Sequence, residues 1–239
     1  MAKVALITGS AVRLGREIAY HLAKKGWDIA LHYRTSNKDV ADFEAELNAG
    51  FPDQRFYTFQ ADLGVIDQTQ LLIKRVIERF GQLDLLINSA SVFEPSPFKE
   101  TSGDSLVRHY QVNLVSPFIL MRDFANIEEN GLIINIADTR ITNNKSDYLS
   151  YSLSKKSLWE LTKMAALELA PYFRVNAIAP GAILAPAGKD EHYLEKIADL
   201  TPMKTPSGVI SILKSIDFII GNEDLTGQLI FCDGGAQLL

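Results

Sequence analysis

The 239-residue chain has one cysteine, Cys232, so an internal disulfide is excluded. Its place in the apolar run QLIFC makes a buried strand position the expected one. With four scattered histidines it makes no spacing that would hold a metal. Lysine and arginine number 24 against 29 acidic residues, and the resulting net charge of -5 argues against nucleic-acid partners, which favour a basic surface. A local basic pocket for one phosphorylated ligand stays open. No apolar run approaches the length needed to span a bilayer, so no membrane partner is expected. The opening MAKVALITG runs straight into a strand-like stretch, without the apolar core and cleavage site of a secretory signal. A cytoplasmic protein is expected. Internal repeats, low-complexity segments and linkers are also missing, so residues 1–239 are expected to form a single domain.

What is present is material for a core. Apolar residues make up 47% and charged residues 22%, which leaves disorder unlikely to dominate. Seven apolar runs read as strands: VALIT (4–8), WDIALHY (27–33), RFYTF (55–59), LDLLIN (83–88), GLIINIA (131–137), FRVNAIA (173–179) and QLIFC (228–232). Between them lie helical patterns. Leu14, Ile18 and Leu22 form one stripe before Gly26, and Leu72, Val76 and Phe80 form another before Gly81. Further helices are expected over 37–49, 103–126, 148–170, 189–199 and 208–220, with a kink at Pro117 and a stop at Pro171. Strands alternating with helices imply an α/β, doubly wound parallel sheet of Rossmann type, about seven strands with helices on both faces. Residues 182–206 are the least regular and suit a substrate lid.

The first strand runs into Thr8-Gly9-Ser10-Ala11-Val12-Arg13-Leu14-Gly15. In a strand–turn–helix unit such a turn brings backbone close to a pyrophosphate at the helix N-terminus. Gly9 permits the tight turn and Gly15 close helix–strand packing. Arg13 is a cation where the helix dipole disfavours one, which points to an anionic or polar ligand for its guanidinium. The second strand ends in Tyr33-Arg34-Thr35-Ser36, with no carboxylate to hold a ribose 2′-hydroxyl. An arginine with two hydroxyls suits a 2′-phosphate, hence NADP(H). His32, next door, reads as a structural strand residue.

Tyr151 and Lys155 lie four residues apart, one helical turn, and Asp138 precedes the tyrosine by thirteen. A free phenol has a pKa of about 10. An ammonium roughly 4 Å away would favour the phenolate by about 4 kcal/mol at an effective dielectric near 20, lowering that pKa by about three. Asp138, if ionised, opposes the phenolate; if protonated, it can relay a proton. A protonated Asp138 and an activity that favours acidic pH are expected.

Together these pieces resemble the short-chain dehydrogenase/reductase family over essentially the whole chain. TGSAVRLG is similar to its TGxxx[AG]xG cofactor loop, Asp62-Leu63 to its adenine-contacting pair, and Asn88-Ser89-Ala90-Ser91 to its NNAG segment. Asn113 falls where the family has a helix asparagine that supports a proton relay. YSLSK is the YxxxK motif, Pro180-Gly181 follows the sixth strand as in the family, and Asp233-Gly234-Gly235 is similar to its DGG. Two departures, Arg13 for a small residue and Asp138 for the usual serine, resemble the pteridine reductase branch, which includes dihydromonapterin reductases. Phe93 falls where that branch stacks a pterin against the nicotinamide.

The resemblance implies NADPH-dependent reduction of a dihydropterin, and of dihydrofolate, within folate metabolism. It implies Asp138, Tyr151, Lys155 and Asn113 as catalytic residues, with Lys155 also holding the nicotinamide ribose. It implies Arg13, Phe93, Asp138 and Tyr151 around the substrate, and a homotetramer built through the helices at 103–126 and 148–170. The alternatives are a generic carbonyl reductase acting on a 3-oxoacyl thioester or sugar ketone, and a non-catalytic NADP sensor on the same fold.

Overall fold

β1 (Val4–Ile7) is buried along its whole length, as an all-apolar strand is when helices cover both faces of its sheet. A computed structural model describes residues 2–183 and 192–239. It places β1 among β2 (Asp28–Tyr33), β3 (Phe56–Gln60), β4 (Leu85–Asn88), β5 (Gly131–Ile136), β6 (Phe173–Pro180) and β7 (Leu229–Cys232). The seven strands are all parallel and lie in the order β3-β2-β1-β4-β5-β6-β7.

Side chains of a strand alternate between faces, so each strand feeds two cores. Ala5 and Ile7 of β1 join Ile18 and Leu22 of α1 (Arg13–Lys24), Phe43 and Leu47 of α2 (Asn37–Gly50), and Ile212 and Ile216 of α8 (Val209–Gly221). Val4 and Leu6 face the other way. They pack with Leu72 and Val76 of α3 (Ile66–Phe80), Leu120 and Phe124 of α5 (Ser116–Ile127), and Ala166 of α6 (Leu149–Glu168). The doubly wound arrangement expected from the alternating runs is thus present. Gly81 closes α3 in the left-handed conformation, at φ 88°, as its place after the periodic stripe suggested.

The helix expected over 103–126 differs from the reading. It is α4 (Gly103–Tyr110), a π-helical stretch at Gln111–Val115, and then α5. Pro117 sits in the first turn of α5, directly after the π-helical stretch. Lacking an N–H, it cannot bond the carbonyl of Asn113 four residues back, and the N–H of Ser116 reaches Gln111 instead, five residues back. The helix expected over 189–199 is observed as α7 (Tyr193–Ala198); residues 189–191, and 184–191 of the expected lid, lie outside the described residues.

Chain order reverses at β1, whose neighbours are β2 and β4. In open parallel sheets that reversal leaves a crevice at the carboxyl ends of the strands. The second core supports it from below. There Phe124 is fully buried, edge-on to Phe173 at 5.0 Å, beneath Gly131 where any side chain would strike its ring. Phe124→Ala is expected to cost about 3–5 kcal/mol in chemical denaturation. A loss below about 1 kcal/mol would show that this core can close over the gap.

Candidate active site

A cleft of about 1000 Å³ opens at the carboxyl ends of the strands. One wall is the turn between β1 and α1. Thr8 Oγ1 accepts the amide hydrogens of Ser89 and Ala90 at 2.9 and 3.0 Å, which ties the ends of β1 and β4 together. Gly9 takes φ 70° and lies against Ala90, where an added Cβ would be 3.1 Å from the Ala90 Cα. A Cβ on Gly15 would overlap the Gly9 carbonyl. The turn therefore keeps a side-chain-free cradle at the start of α1, which fits the diphosphate of a dinucleotide. Arg13, Leu14 and Gly15 line the cleft from this side. Arg13 adopts φ 54°, a left-handed conformation that costs a non-glycine residue about 1–2 kcal/mol.

Farther along, Tyr33, Arg34, Thr35 and Ser36 line the cleft after β2, with Arg34 and Thr35 exposed to it. Asp62 and Leu63 line it after β3, Ser89 and Ala90 after β4, and Pro180 and Gly181 at the end of β6. Asn88 does not line it. Its side chain is buried and donates to Asn135 Oδ1 at 2.8 Å, and Asn135 donates in turn to Thr162 at 2.9 Å. This predicted cofactor residue belongs to an interior polar chain, because Asn88 and Asn135 are register partners in β4 and β5 and their side chains share one face of the sheet.

The chemistry gathers at the end of β5. Asp138 opens the turn at Thr139–Thr142, and its Oδ1 accepts the Arg140 amide at 2.7 Å. Its Oδ2 accepts the Tyr151 hydroxyl, also at 2.7 Å. One carboxylate thus caps a turn and holds the phenol. Lys155, one helical turn beyond Tyr151 in α6, is buried and donates from Nζ to the Ile136 carbonyl at 2.7 Å. Its Nζ lies 5.8 Å from the centre of the Tyr151 ring.

Burial governs all three groups. It raises the Asp138 carboxyl above the ordinary range, against the opposing pull of the Arg140 amide and the Tyr151 hydroxyl. It lowers the Lys155 ammonium from 10.5 to about 8. It raises the Tyr151 phenol well above 10, with the Asp138 charge adding to the effect. The direction of the Tyr151 shift is thus opposite to the one expected from Lys155 alone. Desolvation penalises the phenolate and the Asp138 carboxylate adds to it, while the Lys155 ammonium gives one of its three hydrogens to the Ile136 carbonyl.

Asn113 lies in the π-helical stretch, fully buried and away from the cleft lining. Its Nδ2 donates to the Val92 carbonyl and to Ser154 Oγ, both at 3.0 Å. Its Oδ1 accepts from the Val92 amide at 2.9 Å and from Ser91 Oγ at 3.1 Å. The amide is saturated, and it bonds to neither the Tyr151 nor the Lys155 side chain. It fastens the loop that carries Phe93 to the helix that carries Tyr151.

Phe93 lines the cleft with 45% of its surface exposed, available as a platform. It stacks on Tyr148 at 4.3 Å with 3° between the rings, and meets Tyr151 edge to face at 4.6 Å. The Arg140 guanidinium lies 4.6 Å from the Tyr148 ring centre and forks onto Asp147 at 2.8 and 2.9 Å. Sequence reasoning missed Tyr148, Arg140 and this clasp. Tyr148 stands one helical turn before Tyr151, a usable signal, but the pairing of Arg140 with Asp147 across a loop has no sequence pattern. It also gave Asp233 no contact. That buried carboxylate accepts from the Thr139 hydroxyl at 2.5 Å and from the Gly235 and Gln237 amides at 2.9 and 2.8 Å, bracing the turn next to Asp138.

Among the described residues no group of three ligand-type side chains could hold a metal ion, and no helix is long and apolar enough to cross a membrane. Comparison with known proteins accords with the dinucleotide cradle. The family model for short chain dehydrogenases matches residues 3–193. Pteridine reductase 1 of Leishmania tarentolae is 28% identical, over 99% of this chain and 97% of its own. A 3-oxoacyl-acyl-carrier-protein reductase, FabG of Staphylococcus aureus, is also 28% identical, over 100% and 99%. The crystal structure of FolM alternative dihydrofolate reductase 1 from Brucella canis, complexed with NADP, superposes with a TM-score of 0.91 at 31% identity, covering 99% of this chain and 95% of that one. The cradle at Gly9 and Gly15, the YxxxK helix beside it and these likenesses place the chain in the short-chain dehydrogenase family, in its pteridine reductase branch, as an NADPH-dependent oxidoreductase.

Proposed function

We propose that the protein reduces a dihydropterin to the tetrahydro form, with dihydrofolate as a further substrate. The observation that carries this reading is the Asp138–Tyr151 hydrogen bond, 2.7 Å long, set beside the exposed face of Phe93. A pterin ring is flat, polar at its edges and reducible at a C=N bond, and it needs both a stacking surface and a proton for its nitrogen. Phe93, backed by Tyr148, holds one face of the ring. Arg13, across the cleft, hydrogen-bonds its edge. NADPH supplies the hydride, and Arg34, Thr35 and Ser36 are the residues that would take its 2′-phosphate.

Tyr151 donates the proton to the ring nitrogen. Its raised pKa keeps the phenol protonated at neutral pH, so it acts as an acid rather than a phenolate. When the Tyr151 hydroxyl turns its hydrogen from Asp138 Oδ2 to the ring nitrogen, a protonated Asp138 donates in the reverse sense to the phenolic oxygen and replaces the proton given up, which spares the site a phenolate beside a carboxylate. Lys155 holds the nicotinamide ribose and faces the phenol with positive charge; Asn113 positions the loop and helix around them. Assembly as a homotetramer belongs to the same reading, with the exposed apolar side chains Phe118, Met164 and Leu167 on the helices involved. So do a cytoplasmic location and folding of 1–239 as one unit.

The substrate is tested by NADPH oxidation with dihydromonapterin, dihydrobiopterin, dihydrofolate and a 3-oxoacyl thioester. Turnover of the pterins is expected; turnover of the thioester alone would replace this reading with a ketoacyl reductase.

Asp138 is tested by pH. Its pKa is raised, so wild-type kcat should be highest in acid and fall as pH rises through that pKa. Asp138→Ser should lose about 10²-fold or more in kcat and lose that limb of the profile. Identical profiles in both proteins would remove Asp138 from the relay.

Lys155→Met separates function from stability. The folded pKa of about 8 lies below the unfolded 10.5, so the unfolded chain binds more protons between those values, and the Lys155 contribution to stability rises with pH there. Below pH 8 the buried ammonium is a constant burden of roughly 3 kcal/mol. The variant should therefore be at least as stable as wild type in denaturant at pH 7, while pterin reduction falls by about 10²-fold or more. A variant less stable at pH 7 would make Lys155 a structural residue.

A further inference from the structure

His32, in β2, is buried beside the cofactor turn and takes no part in the chemistry above. Its ring is bonded at both nitrogens. Nδ1 lies 3.0 Å from the Gly9 amide nitrogen, which can only donate, so Nδ1 accepts. Nε2 lies 3.1 Å from the Ala61 carbonyl, which can only accept, so Nε2 carries the proton. These two partners fix one neutral tautomer. Burial keeps the ring neutral, lowering its pKa to about 4.

The main chain of the same residue works on the same turn. The His32 carbonyl accepts from the Ser10 amide at 2.9 Å and from Ser10 Oγ at 3.3 Å. Two consecutive residues of the phosphate turn are thus held by one residue, Gly9 through the ring and Ser10 through the carbonyl. On its far side the ring holds Ala61, immediately before Asp62, a residue that lines the same cleft.

We infer that His32 is a positioning residue for NADPH: its ring fixes the left-handed Gly9 that shapes the phosphate cradle and joins that cradle to the Ala61–Asp62 wall. It touches no reacting atom. The inference rests on NADP(H) use, not on the identity of the substrate. With no acceptor at Nδ1, the half-buried Gly9 amide would lose its protein partner, and the turn would relax away from φ 70°.

Two polar variants separate the two nitrogens. Asparagine can place an oxygen near the Nδ1 position, which serves Gly9, whereas glutamine can place an amide near the Nε2 position, which serves Ala61. NADPH affinity is read by fluorescence titration without substrate, alongside the melting temperature of the apoprotein and hydrogen exchange at the Gly9 amide. His32→Gln is expected to weaken NADPH binding by about tenfold or more and to speed Gly9 exchange, since the Gly9 amide loses its partner. His32→Asn is expected to stay within about threefold of wild type. With a substrate that is turned over, kcat at saturating NADPH should be unchanged in both, with KM for NADPH raised in the glutamine variant alone. Equal loss of affinity in both variants, following their melting temperatures, would make His32 only a core residue. A glutamine variant that binds NADPH as wild type does would also overturn the inference.

Discussion

Asp138 carries two hydrogen bonds, and the arrangement of the cleft depends on their being made by one carboxylate. Through Oδ1 it caps the turn that follows β5, and through Oδ2 it holds the Tyr151 hydroxyl. The first bond fixes the carboxylate relative to the sheet; the second fixes the phenol relative to the carboxylate. Because β5 pairs in register with β4 and β6, that chain of contacts refers the phenol to the same strand ends that form the cofactor cradle. A serine here, with one oxygen, could not accept both bonds in this geometry while remaining a proton reservoir.

The site works against stability in a manner that the two cores offset. A buried ammonium, a half-buried carboxylate and a buried phenol each carry a desolvation penalty, visible as the lowered Lys155 and the raised Asp138 and Tyr151. Isolated, such groups would be neutralised or expelled. Here each has a partner: Lys155 the Ile136 carbonyl, Asp138 the Arg140 amide, Tyr151 the carboxylate. The partners lie on β5 and the turn after it, and that strand is anchored in the core by Leu132, Ile133 and Ile134. The polar cluster stays in place because its backbone partners cannot move without breaking the sheet.

The parts legible in the sequence are those where one residue type has one physical use. Apolar runs marked the strands because a parallel sheet is covered on both faces, and Gly9 and Gly15 marked the cradle because no side chain fits there. The spacing of Tyr151 and Lys155 held because a helix has one period. What stayed hidden depends on contacts between distant segments. Asn88 and Asn113 resembled site residues, yet their orientation is set by the polar chain to Asn135 and by the π-helical stretch ahead of Pro117. The balance between Lys155 and Asp138 for control of the phenol was equally unreadable. Spacing along a helix gives proximity, but desolvation and the Asp138 carboxylate decide the outcome.

The location of function can be argued without any relative. Arg13 stands in a left-handed conformation that glycine would take more readily. Lys155 is a cation beneath the surface, and Asp138 is a carboxylate kept from full solvation. Each is a local loss that a sequence selected for stability alone would remove, by glycine, methionine and serine respectively. The three are far apart in the chain and yet line one cleft. Independent sources of strain have no reason to converge unless the cleft itself is what is being maintained. Arg13 and Asp138 are also the two positions where the chain departs from the wider family's pattern. They reach the cleft from the ends of β1 and β5, on either side of β4, and line it together with Phe93.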